Sequence, residues 1–303
     1  MSDIPAPKPP QYYNSALRRM IDLESDGCEF SEWEQLSDDR LFARHPDGFK
    51  IFLKPDRITD SDEYAESDPY KVEESIDSAF HTRRFELTID MIESIVSSGT
   101  QQLRILDIGC GEGHITEAIR QKIPGSNVTG LDYSISAIKY AHRNFPNIEF
   151  VVGDAYNCPY PDGYFDAVVC NNLWEHVPDP LYLLSVVRRV VKPGGHIVIS
   201  TPSRYRLGNL FRVLRGKKVA FMSHHHVTEY SVGQVKEQLK YGGFAVTKVM
   251  SRKISQESVL KNIFKFFVSF FSTIVGSHHE LEATVFYLAK DTGKEPSQSA
   301  AQD

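Results

Sequence analysis

The sequence predicts a doubly wound α/β fold with a mostly parallel sheet, and three observations support that prediction. Short apolar segments alternate with helical patterns of about ten residues from residue 103 onward. The strand-like segments are β-branched or continuously apolar, which is typical of parallel strands buried on both faces. A glycine-rich turn, DIGCGEG, links the first of these strands to the helix that follows. Such turns join strand and helix in nucleotide-binding sheets.

The individual elements follow from the local hydrophobic patterns. We predict strands at 103–107, 127–132, 148–152, 167–171, 196–201, 245–252 and 282–289. We predict helices at 73–98, 115–122, 135–144, 181–191 and 232–241. Helices between successive strands are expected to cover both faces of the sheet.

Composition sets limits on the class of protein. A chain of 303 residues with 41% hydrophobic and 24% charged residues is long enough for one α/β domain with appendages. The formal net charge of −6 disfavours a nucleic-acid partner, because phosphate binding requires a basic surface. The four cysteines follow no metal-binding spacing, and the N-terminus lacks the apolar run of a signal peptide. We therefore expect a cytoplasmic protein.

Shifts in composition divide the chain into three parts. We assign 1–72 to an N-terminal extension, 73–290 to the main domain and 291–303 to a disordered tail. The extension has a disordered, proline-rich start and ends in an acidic linker. Two apolar runs around Asp47-Gly48 predict a β-hairpin within it, to which we assign no function.

Aspartates stand where each of the first three predicted strands of the main domain ends. Asp107 precedes the glycine turn, Asp132 is the last residue of the second strand, and Asp154 stands at the end of the third. Ligands of doubly wound sheets bind beyond the carboxyl ends of the strands. An acid beside the glycine turn suits a ligand with a positive ammonium group. Asp132 has the chemistry to accept hydrogen bonds from both hydroxyls of a ribose.

The segments at the ends of the predicted strands, in this order, resemble the motifs of class I S-adenosylmethionine-dependent methyltransferases. The matching residues read DIGCGEG, LDYS, GDA, NNLWEHVPDP and VKPGG. The resemblance implies S-adenosylmethionine as co-substrate and a seven-stranded Rossmann-like sheet whose last strand is antiparallel. The cofactor-binding residues are then Asp107, Gly109, Cys110, Gly111, Gly113, Asp132, Tyr133, Asp154, Ala155 and Asn171.

A divalent metal is not expected. Some quinone O-methyltransferases of this class hold one with the pattern Glu-x-x-Glu-His, and the matching positions here are Asn172, Glu175 and His176. Asparagine is a poorer ligand than glutamate for Mg²⁺ or Zn²⁺, so we predict no metal.

Two histidines are candidates for the catalytic step. The order HVTEYS at His226 resembles a stretch of methyltransferases that act on glycans and other hydroxylated small molecules. Imidazole is suited to removing a proton from an alcohol near neutral pH, so we predict His226 as the general base. The alternative is that His226 orients the substrate or packs. His176 is the second candidate, and its alternative is to cap the next helix.

Two segments of the later half are expected to face the acceptor. Residues 203–223 form an insertion with six basic residues, which we predict to be a helical cap over the active site that meets an anionic acceptor. The alternative is a solvated amphipathic helix. Residues 256–276 form an apolar helix, whose part 259–275 is marginal in length for a bilayer span. This part is predicted to touch the membrane peripherally at its inner face, with a homodimer contact or a pocket wall as alternatives.

The sequence thus predicts an S-adenosylmethionine-dependent methyltransferase that acts on a hydroxyl oxygen of a small, glycan-linked or lipid-linked acceptor. The alternatives are an N- or C-methyltransferase of a small molecule, or a subunit that binds S-adenosylmethionine without turnover. The acidic charge disfavours an RNA methyltransferase. Nothing in the sequence identifies the acceptor or the oligomeric state.

Overall fold

A computed structural model of the chain describes residues 34–35, 41–53, 78–96, 102–223, 225–251, 259–274 and 283–293. The predicted disordered start, the acidic linker and most of the C-terminal tail lie outside these residues. The strands are β1 (Glu34–Gln35), β2 (Leu41–Arg44), β3 (Lys50–Ile51), β4 (Arg104–Ile108), β5 (Asn127–Asp132), β6 (Glu149–Val152), β7 (Phe165–Asn171), β8 (Val191–Pro202), β9 (Phe244–Met250) and β10 (Thr284–Asp291). The helices are α1 (Ser78–Glu93), α2 (His114–Lys122), α3 (Ile135–Asn144), α4 (Pro180–Val190), α5 (Leu207–Leu214), α6 (Val232–Tyr241) and α7 (Val259–Ile274).

The strands form one sheet in the order β1-β2-β3-β6-β5-β4-β7-β8-β10-β9. Strands β6, β5, β4, β7 and β8 are parallel to one another, and β10 runs antiparallel to both β8 and β9. The predicted doubly wound sheet with an antiparallel last strand is therefore confirmed. The strand order reverses at β4, which has β5 on one side and β7 on the other. Ligands of such sheets bind at this switch point.

The expected count of seven strands describes only the central part of the sheet, because the N-terminal extension adds three more. Strands β2 and β3 form an antiparallel hairpin, and β3 then pairs in parallel with β6. Without this pairing β6 would present an open edge to solvent. Phe49, Ile51 and Leu53 are buried against β6 and α3, which fixes the hairpin. Strands of two residues are too short for a sequence pattern to predict their partner.

Helices cover both faces of the sheet. Leu106 and Ile108 of β4 pack in the same apolar cluster as α4 and α6. Ile105, which points to the opposite face because side chains alternate along a strand, packs with α1 and α2. Side-chain caps mark where several helices begin: the Ser134 hydroxyl accepts the N–H of Ala137 in α3, and Ser231 forms a capping box with Gln234 in α6. None of the helices in the described ranges is both long enough and apolar enough to cross a bilayer.

Candidate functional site

The glycine turn after β4 opens the site. Gly109, Gly111 and Gly113 have φ angles of +72°, +53° and +80°, a region that favours glycine. A Cβ atom on Gly113 would come within 2.6 Å of the Phe150 ring, so this glycine allows close packing of α2 against the sheet. The N–H of Gly111 instead donates to Asp132 Oδ2 at 2.8 Å. The turn therefore has one glycine for packing and one that orients a candidate ligand residue.

Asp132 lies at the end of β5, directly beside the glycine turn. Its Oδ2 accepts the N–H of Gly111, and its Oδ1 accepts the N–H of Ser134 at 2.9 Å. These bonds fix the plane of the carboxylate. The side chain is partly exposed at the carboxyl edge of the sheet, as the predicted ribose contact requires.

Asp107 is almost completely buried at the end of β4, where Thr116 Oγ1 donates to its Oδ2 at 2.7 Å. Burial raises the pKa of Asp107 to about 7, and the nearby charge of Asp132 acts in the same direction. The Thr116 hydroxyl and the charge of Arg84 oppose this rise. Arg84 belongs to α1, so that helix lies near Asp107. An added positive group would favour the charged carboxylate.

The other predicted cofactor residues lie at the same edge of the sheet and differ in their hydrogen bonds and burial. Asp154 begins a short 3-10 turn over Ala155–Asn157, and its Oδ1 accepts the Tyr156 N–H at 2.8 Å. Tyr133 is partly buried against the cluster that contains Cys110, whose thiol is buried. The Asn171 amide donates to Thr88 Oγ1 of α1 at 3.1 Å, so it also holds α1 against the end of β7.

A second group of polar residues follows β7. Asn172 has a φ of +50°, unusual for a residue with a side chain, and its Nδ2 donates to Glu175 Oε1 at 2.9 Å. Glu175 is fully buried, and burial raises the pKa of its carboxyl group. Among the described residues no group makes a hydrogen bond of good geometry to Glu175 Oε2. Strained and incompletely paired groups of this kind concentrate at functional sites.

The two predicted catalytic histidines meet at this position. The rings of His176 and His226 pack edge to face, with centroids 4.9 Å apart. The N–H groups of Val227 and Thr228 donate to the Glu175 carbonyl oxygen at 2.9 and 3.2 Å. These backbone bonds hold the loop that contains His226 against the end of β7, although the two segments are separated by fifty positions in the chain.

Glu229 fixes the orientation of His226, and sequence reasoning did not assign it a role. Its fully buried Oε1 lies 2.9 Å from His226 Nδ1. Burial alone raises the pKa of Glu229, but hydrogen bonds from His226, the Met222 N–H and Arg206 outweigh it and lower that pKa. An ionised carboxylate only accepts hydrogen bonds, so Nδ1 is the donor and the lone pair of His226 lies on Nε2. The motif HVTE could have indicated this pair, since a histidine and a glutamate three residues apart can reach each other.

The cap prediction needs one correction. Arg206 does not face an anionic acceptor, because its guanidinium group pairs with Glu229 and also donates to the carbonyl oxygens of Ser203 and Ala220. A buried carboxylate requires such a partner, and this requirement decides where Arg206 points. Asn209 of α5 also bonds to Ala220, through both its amide nitrogen and its oxygen. The cap is therefore fastened to the loop that contains His226 and Glu229.

Three side chains in this region are arranged as metal ligands could be. Ligand atoms of Glu175, His176 and His226 all lie within 4.8 Å of one another. Two imidazoles and one carboxylate are a donor set that divalent transition metals accept. A carboxylate that binds the second nitrogen of a ligating histidine, as Glu229 binds His226, is a common outer partner. The prediction of no metal rested on Asn172 and did not include His226.

Comparison with known proteins identifies the fold and class of the part of the chain that contains the glycine turn. Residues 106–199 match the family model described as a methyltransferase domain. The chain contains a class I methyltransferase domain. This match covers β4 to β8, where the glycine turn and the three aspartates lie, and S-adenosylmethionine is the co-substrate of this class.

Several relatives share sequence with the methyltransferase domain. A ubiquinone biosynthesis O-methyltransferase of Alkalilimnicola ehrlichii is 37% identical over 123 residues, which are 38% of this chain and 48% of the relative. A demethylmenaquinone methyltransferase of Renibacterium salmoninarum is 32% identical over 140 residues, which are 46% of this chain and 56% of the relative. The chain thus spans about half the length of the curated relatives that it matches.

Solved structures share the fold of the methyltransferase domain. One is a chain of the complex between the Haloferax volcanii Trm112 methyltransferase activator and a methyltransferase, with a TM-score of 0.53, 16% identity, and coverage of 76% of this chain and 96% of that one. Another is an S-adenosylmethionine-dependent methyltransferase of Thermotoga maritima, described as a possible histamine N-methyltransferase. Its TM-score is 0.52 at 15% identity, with 76% of this chain and 100% of that chain covered. These likenesses concern the fold alone.

The position of Asp132 predicts a large loss of ligand affinity on substitution. We expect Asp132→Ala to weaken S-adenosylmethionine binding by about 10-fold to 100-fold, because a hydrogen bond to a charged group contributes roughly 1.5–3 kcal/mol. Titration calorimetry with S-adenosylmethionine and S-adenosylhomocysteine measures the effect. Asp162→Ala is the matched control, since that exposed aspartate pairs with Arg189 on the surface, away from the glycine turn. Equal affinity of Asp132→Ala and the unmodified protein would contradict the assignment.

The raised pKa of Asp107 predicts a pH-dependent stability. The folded chain keeps this proton up to about pH 7, whereas 3.8 is the ordinary value for an unfolded chain. The folded state thus binds more protons between these values, and the free energy of unfolding falls as the pH rises through them. Asp107→Asn removes this titration, so its stability relative to the unmodified protein should rise by a few kcal/mol between about pH 5 and about pH 8. Urea unfolding of both proteins at both pH values tests this. The same difference in free energy of unfolding at pH 5 and pH 8 would refute it.

Proposed function

We propose that the chain transfers the methyl group of S-adenosylmethionine to a hydroxyl oxygen of a small acceptor molecule. The observation that supports this proposal is the position of two polar groups at one edge of the sheet. The three aspartates lie at the carboxyl ends of β4, β5 and β6, and the His226–Glu229 pair lies beyond the end of the neighbouring strand β7. The first group suits a charged nucleoside, and the second suits a hydroxyl that must lose a proton.

The aspartates have chemistry that fits the co-substrate. S-adenosylmethionine supplies a methyl group on a positively charged sulfur. Asp132, oriented by Gly111 and Ser134, accepts hydrogen bonds from the ribose hydroxyls. Asp107 lies next to it on β4 and attracts the ammonium group, which offsets the repulsion between the two carboxylates. Asp154 and Ala155 contact the adenine from the end of β6.

His226 removes the proton of the acceptor hydroxyl. Glu229 accepts a hydrogen bond from Nδ1, so Nε2 presents its lone pair to the acceptor. The negative charge of Glu229 also stabilises the imidazolium ion that forms when the proton is transferred. Arg206 keeps this carboxylate ionised, which makes Glu229 and Arg206 positioning residues. Methyl transfer itself needs little more than correct placement of the oxygen and exclusion of water.

We infer an acceptor with a hydroxylated aromatic ring. The sequence relatives are named ubiquinone biosynthesis O-methyltransferase and demethylmenaquinone methyltransferase, which supports a quinone-type acceptor. A glycan-linked or lipid-linked hydroxyl is the alternative from the resemblance of the HVTEYS stretch. A panel of water-soluble catechols, hydroquinones and sugars, incubated with methyl-labelled S-adenosylmethionine, separates these classes. A protein that binds the co-substrate and labels nothing in the panel or in a cell lysate would instead be a binding subunit.

A metal-assisted reaction is the second candidate, and the positions of Glu175, His176 and His226 favour it. Glu175 Oε2, which lacks a hydrogen bond of good geometry within the described part of the chain, is a suitable ligand atom for a divalent cation. Such a cation, held by these three side chains, would lower the pKa of a hydroxyl bound to it. His226 would then be a ligand and not the base.

Substitutions at the His226–Glu229 pair test the catalytic assignment. We expect His226→Ala to lower the rate of methyl transfer by about 100-fold to 10,000-fold, which is typical for loss of a general base. Glu229→Gln should lower the rate less, because it keeps a hydrogen-bond acceptor and loses only the charge. Single-turnover assays give the rate, and calorimetry should show S-adenosylmethionine affinity unchanged within about twofold. His225→Ala, at an exposed position next in sequence, is the control. An unchanged rate in His226→Ala would reject the base.

Removal of divalent metal distinguishes the two candidates. The metal-free mechanism predicts that dialysis against EDTA leaves the rate of methyl transfer unchanged. A loss of rate that Mg²⁺, Mn²⁺ or Zn²⁺ restores would support the cation site instead. Metal analysis of the purified protein and of Glu175→Gln provides an independent measurement, since that variant removes one ligand and should retain less metal.

A further inference from the structure

Helix α7 exposes a continuous apolar stripe. Its exposed residues follow one another at spacings of one, three or four, which places them on one side of an α-helix. They are Val259, Ile263, Phe266, Phe267, Phe270 and Ile274, and each is 48–74% exposed. A helix in a soluble domain normally turns such a stripe toward the core, so this one requires an apolar partner.

Helix α5 of the cap extends this apolar surface. The Phe211 ring of α5 packs on the Phe264 ring of α7 at a centroid distance of 4.8 Å, so the two helices touch. Val213 and Leu214, at the end of α5, are 50% and 75% exposed. We call the exposed apolar residues of α5 and α7, with the basic residues that follow α5, the α5–α7 surface.

The α5–α7 surface has the opposite charge from the rest of the chain. The formal net charge of the protein is −6, yet residues 207–222 and 259–274 include six lysines and arginines and no acidic residue. Arg215, Lys217 and Lys218 are exposed directly beside Leu214. Their loop is held to the helix end, because Arg212 Nε donates to the Lys218 carbonyl oxygen at 3.0 Å and the Lys217 N–H donates to the Arg212 carbonyl oxygen at 2.8 Å.

We propose that the α5–α7 surface docks on the face of an anionic phospholipid bilayer. Exposed aromatic side chains beside lysines and arginines are the composition of helices that lie in a membrane interface. The basic residues match the negative surface potential of such a bilayer. A second copy of the chain is a poorer occupant, since a two-fold contact would bring the same basic loops together and like charges repel.

The surface lies close to the candidate catalytic residues. Arg206, which precedes α5, pairs with Glu229, and α5 itself has eight residues and is about 12 Å long. Met222 is 47% exposed, while its N–H donates to Glu229 Oε1. An acceptor dissolved in the bilayer would thus have a short path to His226. Docking does not depend on the proposed methyl transfer and is measured without it.

Vesicle binding tests the proposal on the full-length protein. We expect co-sedimentation with phosphatidylcholine vesicles that contain phosphatidylglycerol, weaker binding to phosphatidylcholine alone, and a decrease with added NaCl. Phe267→Glu should lower the partition coefficient at least about tenfold, because it removes an inserted aromatic ring. The double variant Lys217→Ala/Lys218→Ala should lower it by a similar factor on anionic vesicles only. Leu214→Glu, at the most exposed position of α5, repeats the apolar test without risk to the core.

Tyr241→Glu is the matched control, since Tyr241 is an aromatic residue 45% exposed at the end of α6 and outside this surface. It should bind vesicles as the unmodified protein does. The proposal is overturned if the unmodified protein does not sediment with anionic vesicles, or if Phe267→Glu and Leu214→Glu bind equally well. A dimer in gel filtration that Phe267→Glu dissociates, without vesicle binding, would assign the surface to a second copy. Labelling of a water-soluble acceptor should be the same in all these variants.

Discussion

The site depends on the parallel pairing of β4 with β5 and of β5 with β6. Parallel strands end at the same edge of a sheet and lie about 4.8 Å apart, so the pairing brings Asp107 and Asp132 close together. The negative charge of Asp132 repels that of Asp107, and this repulsion adds to the burial that raises the pKa of Asp107. A ligand with a positive group relieves both effects. The backbone pairing of the sheet thus creates a negatively charged position that favours a ligand with a positive group.

Glu229, in the second polar group, has a lowered pKa where Asp107 has a raised one. Glu229 is as buried as Asp107, yet its pKa is lowered because Arg206, His226 and the Met222 N–H all donate to it. A fully bonded carboxylate is a fixed negative charge, which suits the orientation of a histidine. A buried carboxylate with only one strong donor is a group that responds to a ligand. The two acids therefore differ in function through the number of their donors, although both are buried.

Charge is also distributed unevenly over the surface of the chain. The acidic residues that give the net charge of −6 are absent from α5, α7 and the loop after α5, where basic and apolar residues occur together. These same segments follow the most recognisable part of the methyltransferase domain, which ends with β8. We propose that this domain provides the co-substrate site. The segments after it are the place where acceptor and location are expected to be determined.

Sequence alone determined the order and type of nearly every element, since β4 to β10 and α1 to α4 follow hydrophobic periods that are local properties. It also determined the aspartates at the strand ends, because a strand and the residue after it are adjacent in the chain. Only the tertiary structure decided the pairing of the N-terminal hairpin with β6, the place of Arg206 beside Glu229, and the meeting of His226 with Glu175 and His176. These contacts join residues far apart in the chain, and a buried charge selects its partner from whichever segment the fold brings near.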